Sequence, residues 1–350
     1  MKRQGNFFPR IVEKENLYLA YCNASKGKHN RQSVQKIEAD LDNKIEELHE
    51  NLLAGKVRTS AYHTKQIFEP KERIIYILPF WPDRVVQHAI LNILEPYWEK
   101  LFIKDSYSCI KNRGQHEGSK RNMQFVRHYK YVYKADIHHF YPSLNHDVLK
   151  QIIRKKVKDE PLLLLLDDII DSVPGDTNVP IGNLMSQWYG NLYLNELDFF
   201  VKQELRCKAY IRYCDDFLLY SNSKEELREW KNKVEAFVAE RLLLEFSKSD
   251  IFPTARGVDF LGYRHFPEGY LLVRKSTAKR MKRKLTAVRA GMADESVDPE
   301  YARGVVESAY GWASWANSYN FMEALRLQEL RKEVVQYAEL FGSGEETADQ

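Results

Sequence analysis

Three aspartates carry the chemistry this sequence could perform. Asp215 and Asp216 sit in Tyr210-Ile211-Arg212-Tyr213-Cys214-Asp215-Asp216-Phe217-Leu218-Leu219-Tyr220, and Asp136 lies near the end of Tyr131-Val132-Tyr133-Lys134-Ala135-Asp136-Ile137. The apolar, β-rich flanks of the pair predict a tight hairpin with both carboxylates at its tip. Asp is common in turns because it bonds its own backbone there, so a bare pair would be ordinary. Here the pair is enclosed by bulky apolar and aromatic residues, where like charges repel unless a cation bridges them. Between the aspartates lies a glycine-bearing segment leading into a helix, Val179-Pro180-Ile181-Gly182-Asn183-Leu184-Met185-Ser186-Gln187. Together these features make the residue set of a two-magnesium polymerase site.

The elements that must position these residues follow from periodicity. Asn30 to Gly55 repeats Ile37, Leu41, Ile45, Leu48 and Leu52 at steps of three and four, which predicts helix with a charged outer face. From Tyr62 to Pro79 the pattern turns β-like, with Glu69-Pro70-Lys71-Glu72 as the turn of a hairpin. Pro82-Asp83-Arg84 then opens a helix through Val85, Val86, Ile90, Leu91 and Ile93. Lys104 to Lys130 reads as a loop-rich basic segment with Tyr107, His116, Phe125 and Tyr129 interleaved among its cations. Asn145 is the expected N-cap of the helix after Asp136. Ser186 to Phe200 and Lys224 to Leu243 read as helices, and Val258 to Val273 as a hairpin turning at Pro267-Glu268-Gly269. Residues 274–289 then hold eight cations and no acid, and helical segments continue to about Leu340. Gly342 to Gln350 is polar and reads as disordered.

Composition bounds the answer. At 350 residues and 44% hydrophobic the chain can bury a large core divided into two or three subdomains. A net charge of +4 is too small to demand a polyanionic partner, so the clustering of the cations matters more. Four cysteines without CxxC spacing argue against disulfides and a zinc site and for a reducing cytosol. The N-terminus lacks the apolar stretch of a signal peptide, and Leu162 to Leu166 is too short to span a bilayer. The expectation is a soluble cytoplasmic protein with no membrane partner.

From Tyr62 to Tyr319 the chain resembles reverse transcriptases, specifically those of bacterial and phage diversity-generating retroelements, which are related to group II intron and retron enzymes. Five ordered motifs carry the resemblance. Asp136-Ile137-His138-His139-Phe140-Tyr141 is similar to the first palm aspartate motif, and Tyr213-Cys214-Asp215-Asp216 to the aspartate-pair motif. Asp83-Arg84-Val85-Val86-Gln87-His88-Ala89 and Ser106-Tyr107-Ser108-Cys109 resemble the finger-to-palm motifs. Phe260-Leu261-Gly262-Tyr263 resembles the primer-grip hairpin. The subfamily rests on Ile181-Gly182-Asn183-Leu184-Met185-Ser186-Gln187, where most relatives have Gln-Gly-x-x-x-Ser-Pro. Ile181 stands where a Gln side chain usually lies against the incoming nucleotide, and Gln187 replaces Pro.

The resemblance implies an α+β right-hand polymerase fold with fingers, a palm of antiparallel sheet packed by helices, and a helical thumb. Its expected divisions are 1–80 (N-terminal helices and fingers hairpin), 81–135 (connection with the basic loop), 136–273 (palm), 274–340 (basic thumb) and 341–350 (disordered tail). Asp136 and Asp215 would bridge two magnesium ions, with manganese as an alternative, and the Ile137 carbonyl is a further ligand by resemblance. Asp216 would stand beside the primer end or the metal. Lys71, Arg73 and Arg113 are candidates to clamp the triphosphate, though each equally fits a solvated surface charge. Lys248 resembles the lysine that protonates pyrophosphate, and a surface salt bridge fits it as well. Tyr141 lies where this fold puts a ring against the sugar C2′ position, excluding a 2′-hydroxyl. Ile181, Gly182 and Gln187 would face the dNTP. Phe260, Gly262, Lys279, Lys282 and Arg283 would face the template–primer duplex. His138 and His139 suggest a metal site, but adjacent strand residues point to opposite faces, so they read as structural or RNA-facing.

The implied activity is RNA-directed DNA synthesis that copies a template-repeat RNA into mutagenised cDNA, with errors at template adenines. Implied partners are the template RNA, the cDNA or primer, dNTPs, and an oligomeric basic accessory variability protein. Two other readings stay open: a retron, abortive-infection or group II-like polymerase of ordinary fidelity, and an inactive RNA-binding scaffold. A maturase is less attractive, since nothing after the thumb reads as DNA-binding and endonuclease domains.

Overall fold

The computed structural model describes residues 3–68 and 72–341, and the fold has the expected α+β class. Two compact units divide it. One comprises residues up to Gln115, Tyr133–Leu219 and Lys224–Ile251; the other comprises His116–Val132, Tyr220–Ser223 and residues from Phe252 onward. The expected tail, 342–350, and Lys71 lie outside the described residues.

In the first unit, the helix Val85–Trp98 forms because Val85, Val86, Ala89, Ile90, Leu91 and Leu94 repeat at helical spacing, and all are buried. The helix Lys14–Ser25 packs against it, burying Leu17, Ala20 and Tyr21. The amide N–H groups of Phe7 and Phe8 both donate to Asp159 Oδ2, at 2.7 and 2.9 Å, which ties the first turn of the chain to residues far along it. The stretch expected as one helix over 30–55 is two, Gln32–Glu38 and Leu41–Leu53. Asp40 leaves helical geometry at φ −142°, and Asp competes with the helix for backbone bonds.

Strands β1 (His63–Ile67) and β2 (Arg73–Ile77) form the expected hairpin, with Gln66 opposite Ile74. A four-stranded sheet holds β3 (Tyr131–Ile137), β4 (Tyr210–Tyr213), β5 (Asp216–Ser221) and β6 (Phe246–Pro253) in the order β4-β5-β3-β6. β4 and β5 pair antiparallel with Tyr213 opposite Asp216, so only Cys214 and Asp215 form the turn. Asn145 caps the helix His146–Arg154 as expected, accepting from the Val148 N–H at 3.0 Å. The helix Leu184–Phe199 begins at Asn183, whose side chain accepts from the Met185 N–H.

The hairpin is fastened to the segment before that helix. The Tyr76 N–H donates to the Ile181 carbonyl at 2.7 Å; the Asn178 and Asn183 amides donate to the hydroxyls of Tyr76 and Tyr62, each at 3.0 Å. Those two rings meet edge to face, 5.5 Å apart. Gly182 permits this approach. Its φ is +106°, and a Cβ there would stand 2.7 Å from the Tyr76 carbonyl oxygen and 2.8 Å from Ile75 Cγ2.

In the second unit, the segment expected as a basic loop contains a helix, Gln115–His128. Its inward positions are Gly118, Ser119, Asn122, Phe125 and Val126, helical in spacing but mostly small or polar, so the apolar signal was absent. The same unit holds β7 (Val258–Phe260), β8 (Tyr263–His265) and β9 (Leu271–Val273), a three-stranded antiparallel sheet where one hairpin was expected. Leu261 and Gly262 link β7 to β8 with φ of +54° and +81°, the twist that a two-residue hairpin loop requires. The helices Lys275–Ala293, Pro299–Ser314 and Leu327–Phe341 bury Met281, Leu285, Val288, Val306, Leu330 and Val334 in a common core.

Gly182→Ala meets both a left-handed backbone and a strand backbone that cannot step aside. The expected loss is about 2–4 kcal/mol of stability. Urea unfolding of the two chains measures it, and a loss below about 0.5 kcal/mol, the scale of an ordinary surface substitution, would mean that the hairpin is not held as described.

Candidate active site

The sheet order places the β4–β5 turn beside the strand that carries Asp136, because β5 and β3 are neighbours. Asp136 and Asp215 lie near enough for the charge of one to oppose ionisation of the other. Asp136 Oδ2 accepts from Ser247 Oγ at 2.7 Å, and that hydroxyl lies 3.1 Å from the Asp136 carbonyl. Asp216 opens β5, and its Oδ2 accepts from Lys134 Nζ at 2.9 Å. Asp215 thus feels the charge of Asp136, while Asp216 is engaged by an ammonium.

Beneath the turn is a buried polar cluster. The Arg212 guanidinium donates to both oxygens of Asp198, through Nε at 2.7 Å and Nη2 at 2.6 Å; both side chains are 0% exposed. Nη1 donates to Asn191 Oδ1 at 3.2 Å and to the Cys214 carbonyl at 3.0 Å. The Tyr210 hydroxyl donates to Asp198 Oδ1 at 2.7 Å, and Asn191 Nδ2 to the Ser108 carbonyl at 2.7 Å. Burial alone would pull the Arg212 pKa down, but the Asp198 carboxylate more than offsets it, so the charge is firmly kept. Cys214 has φ +54°, uncommon for a residue with a side chain.

Tyr141 stands on the short helix Phe140–Ser143, its hydroxyl 3.5 Å from Cys214 Sγ. Gly190 makes room for it: a Cβ there would lie 3.0 Å from Phe140 Cε1 and 3.2 Å from Tyr141 Cε1. Burial raises the Tyr141 pKa well above the ordinary phenol value, and burial with the Asp215 charge pushes the Cys214 thiol up to about 12. Both stay protonated at neutral pH.

The remaining expected residues are more scattered. Ile137 ends β3 with its side chain buried. Ile181 is half-buried, while Gly182 and Gln187 are exposed; the first two serve the hairpin contact whatever else they do. Arg73 is exposed on β2, and Lys248 is exposed on β6. Arg113 donates from Nη1 to the Ile103 carbonyl at 2.8 Å, so part of its guanidinium holds the chain's own backbone. In the second unit, Lys279, Lys282 and Arg283 lie on the exposed face of the helix Lys275–Ala293. Phe260 is 1% exposed, so its ring fills the core and offers no surface. Gly262 faces Trp312, where a Cβ would stand 2.4 Å from Cζ3. His138 and His139 are not strand residues: β3 ends at Ile137, both are exposed, and their rings meet edge to face at 4.1 Å.

Sequence reasoning missed Ser247, Lys134, Asn191 and the Arg212–Asp198 pair. The available signal was an arginine inside an otherwise apolar strand and an aspartate inside an apolar helix, since neither is buried without a partner.

Comparison with known proteins supplies the context. The sequence profile described as reverse transcriptase (RNA-dependent DNA polymerase) matches residues 65–265, more than half of the chain. Protein YkfC of Escherichia coli is 25% identical over 65% of this chain and 72% of its own length. The group II intron-encoded protein LtrA of Lactococcus lactis is 22% identical over 53% of this chain, but only 43% of that relative is covered. Nuclear intron maturase 1 of Arabidopsis thaliana is 29% identical over 34% of this chain and 15% of its own length. Among solved structures, apo telomerase from Candida tropicalis aligns with a TM-score of 0.46 at 13% identity, over 62% of this chain and 56% of that one.

Among the described residues, no three His, Cys, Asp or Glu side chains gather closely enough to hold a metal by themselves. Asp136 and Asp215 still fit magnesium, which takes one or two carboxylates and fills its other positions with water and phosphate oxygens. A bound cation would also offset the cost of ionising Asp215 there. Asp215 is pushed up to about 6, first by burial and then by the Asp136 charge. Below about pH 4 folded and unfolded chains both carry it neutral, and it costs nothing. As pH rises through about 6 the folded chain must ionise it against that opposition, and the destabilisation is then complete. Asp215→Asn is therefore expected to raise the melting temperature of the metal-free protein at about pH 8 and to lose that advantage towards about pH 4. Thermal unfolding in EDTA across this range checks it; parallel curves for the two chains would refute the strain.

Proposed function

The chain belongs to the reverse transcriptase (RNA-dependent DNA polymerase) family, and on that premise we propose that it is an active RNA-directed DNA polymerase using a fingers–palm–thumb fold. The observation that carries the proposal is the opposed pair Asp136 and Asp215, one at a strand end and one in the adjoining turn. These carboxylates and the Ile137 carbonyl would hold two divalent ions, magnesium or manganese. When bound, such ions activate the primer 3′-hydroxyl and stabilise the leaving oxygen.

The chain's own side chains have separate tasks. Lys134 holds the Asp216 carboxylate by the turn, beside the primer end. Tyr141, neutral and fixed beside Cys214, presents its ring against the nucleotide sugar and excludes ribonucleotides. Arg73, Lys71 and the donors of Arg113 not used on Ile103 take the triphosphate, and Lys248 gives its proton to departing pyrophosphate. Lys279, Lys282 and Arg283 follow the backbone of the template–primer duplex, where their contribution falls with added salt. Gly262, by allowing the close turn at Trp312, and buried Phe260 keep the β7–β8 hairpin in shape for the primer.

The proposed role is that of a diversity-generating retroelement enzyme, copying a template-repeat RNA into error-bearing cDNA with an oligomeric basic accessory protein. Ile181 supports it. Glutamine at that position can hydrogen-bond the nucleotide and stiffen its pose, whereas isoleucine offers only shape. Losing such a contact weakens discrimination by about 1–3 kcal/mol, enough for an error-prone enzyme. A second reading, an intron-type polymerase of ordinary fidelity, is favoured by the similarity to LtrA.

Primer extension on a defined RNA with magnesium and dNTPs, every product sequenced, separates these readings. DNA with errors concentrated opposite template adenines is expected. Accurate DNA would move the protein to the intron-type group, and Asp215→Asn should abolish synthesis in either case. Ile181→Gln is expected to lower the error frequency at adenines several-fold, by about 1 kcal/mol of added discrimination; an unchanged frequency would remove Ile181 as the cause.

A further inference from the structure

Arg212 spends an always-charged, fully buried side chain on three partners: Asp198, Asn191 and the carbonyl of Cys214, two residues further along the chain in the turn that follows its strand. A buried ion pair is poor value for stability alone, because apolar side chains of similar volume usually serve as well or better. Nor is the side chain needed to keep β4 in place. The Arg212 backbone has its own bonds on the far side, its N–H to the Asp105 carbonyl and its carbonyl from the Tyr107 N–H, both at 3.0 Å. What the guanidinium alone reaches is the turn. Cys214 holds a positive φ that a residue with a side chain rarely keeps unless its surroundings impose it. The Nη1 bond to its carbonyl is such an imposition, one peptide unit from Asp215. Tyr210 and Asn191 complete the cluster by fixing Asp198 and by linking Arg212 to the Ser108 carbonyl.

We infer that Arg212, braced by Asp198 and Asn191, is a positioning residue that sets the Cys214-Asp215 turn and so the direction in which the Asp215 carboxylate faces Asp136. The inference rests on the polymerase reading of those two aspartates, yet it concerns geometry that a metal probe reads without any turnover. Arg212 touches no reacting atom. Its effect reaches the site only through the turn.

The test replaces the cluster without leaving an orphaned charge or hydroxyl: Asp198→Leu, Tyr210→Phe and Arg212→Met together, in the full chain. Manganese binding is followed by electron paramagnetic resonance, folding by thermal melting, and single-nucleotide addition by kcat and by KM for the template–primer. Expected is a melting temperature close to that of the parent, with manganese affinity weakened about 10–100-fold. A displaced carboxylate should also cut kcat about 100-fold, with KM for the template–primer unchanged. Parent-like manganese affinity and kcat in this well-folded variant would overturn the inference. Should the triple variant not fold, Arg212→Lys serves: it keeps the charge, but one ammonium cannot hold both Asp198 oxygens and the Cys214 carbonyl. Weakened manganese binding in folded Arg212→Lys supports the inference, and parent-like binding overturns it. If the parent binds manganese but extends no primer, the polymerase reading fails, while the manganese comparison still decides the role of Arg212.

Discussion

A guanidinium sealed from water must find its partners inside the protein, because each unmet N–H keeps the full cost of desolvation. Arg212 pairs each of its three nitrogens by reaching separate parts of the chain: helix Leu184–Phe199 through Asn191 and Asp198, and the aspartate turn through Cys214. Only Arg offers a planar fork able to grip both oxygens of one carboxylate and still reach elsewhere. The helix Leu184–Phe199 and the aspartate turn are therefore joined through one side chain. On the inference drawn above, the direction of the Asp215 carboxylate is a by-product of satisfying a buried charge.

The site above that cluster is built against stability. Two carboxylates oppose each other, one of them driven up to about 6, and a non-glycine residue occupies a left-handed turn position. Such local conflicts persist only where surrounding structure over-determines them. The four-stranded sheet provides that surplus: Ser247 on β6 steadies Asp136, and Lys134 on β3 neutralises Asp216. On the other flank, the β1–β2 hairpin leans on the 178–183 segment through one backbone bond and two tyrosine hydroxyls. A nucleotide placed against Ile181 would thus be placed against the hairpin as well.

Much of this was legible in the residues. Alternating apolar runs gave the β1–β2 and β4–β5 hairpins, though only Asp215 of the expected pair lies in the turn and Asp216 already pairs with Tyr213 on β5; ordered motifs gave the family. The Asn145 cap could be read because capping is local chemistry. The helix Gln115–His128 could not, since its inward face is Gly118, Ser119 and Asn122, which bury by fit and hydrogen bonding without an apolar stripe. The partners of the aspartates were hidden for another reason. Ser247 is 111 residues from Asp136 and Lys134 is 82 from Asp216, and no spacing rule connects them. Gly182 shows how one residue type can carry two meanings: its place in a recognisable motif was plain, but its steric debt to Tyr76 appears only in three dimensions.

The fastening of the N-terminal residues bears on how this protein can be cut. The family profile covers 65–265, yet the helix Val85–Trp98 inside that span has one face covered by Lys14–Ser25, with Asn16 donating to the Ala89 carbonyl at 3.1 Å. Phe7 lies 5.1 Å from the Tyr97 ring, and Asp159 receives the amides of Phe7 and Phe8. A fragment trimmed to the profile limits would bare that apolar helix face and strip the half-buried Asp159 carboxylate of its donors, inviting aggregation. The boundary of a recognisable sequence and the boundary of something that folds are different lines in this chain.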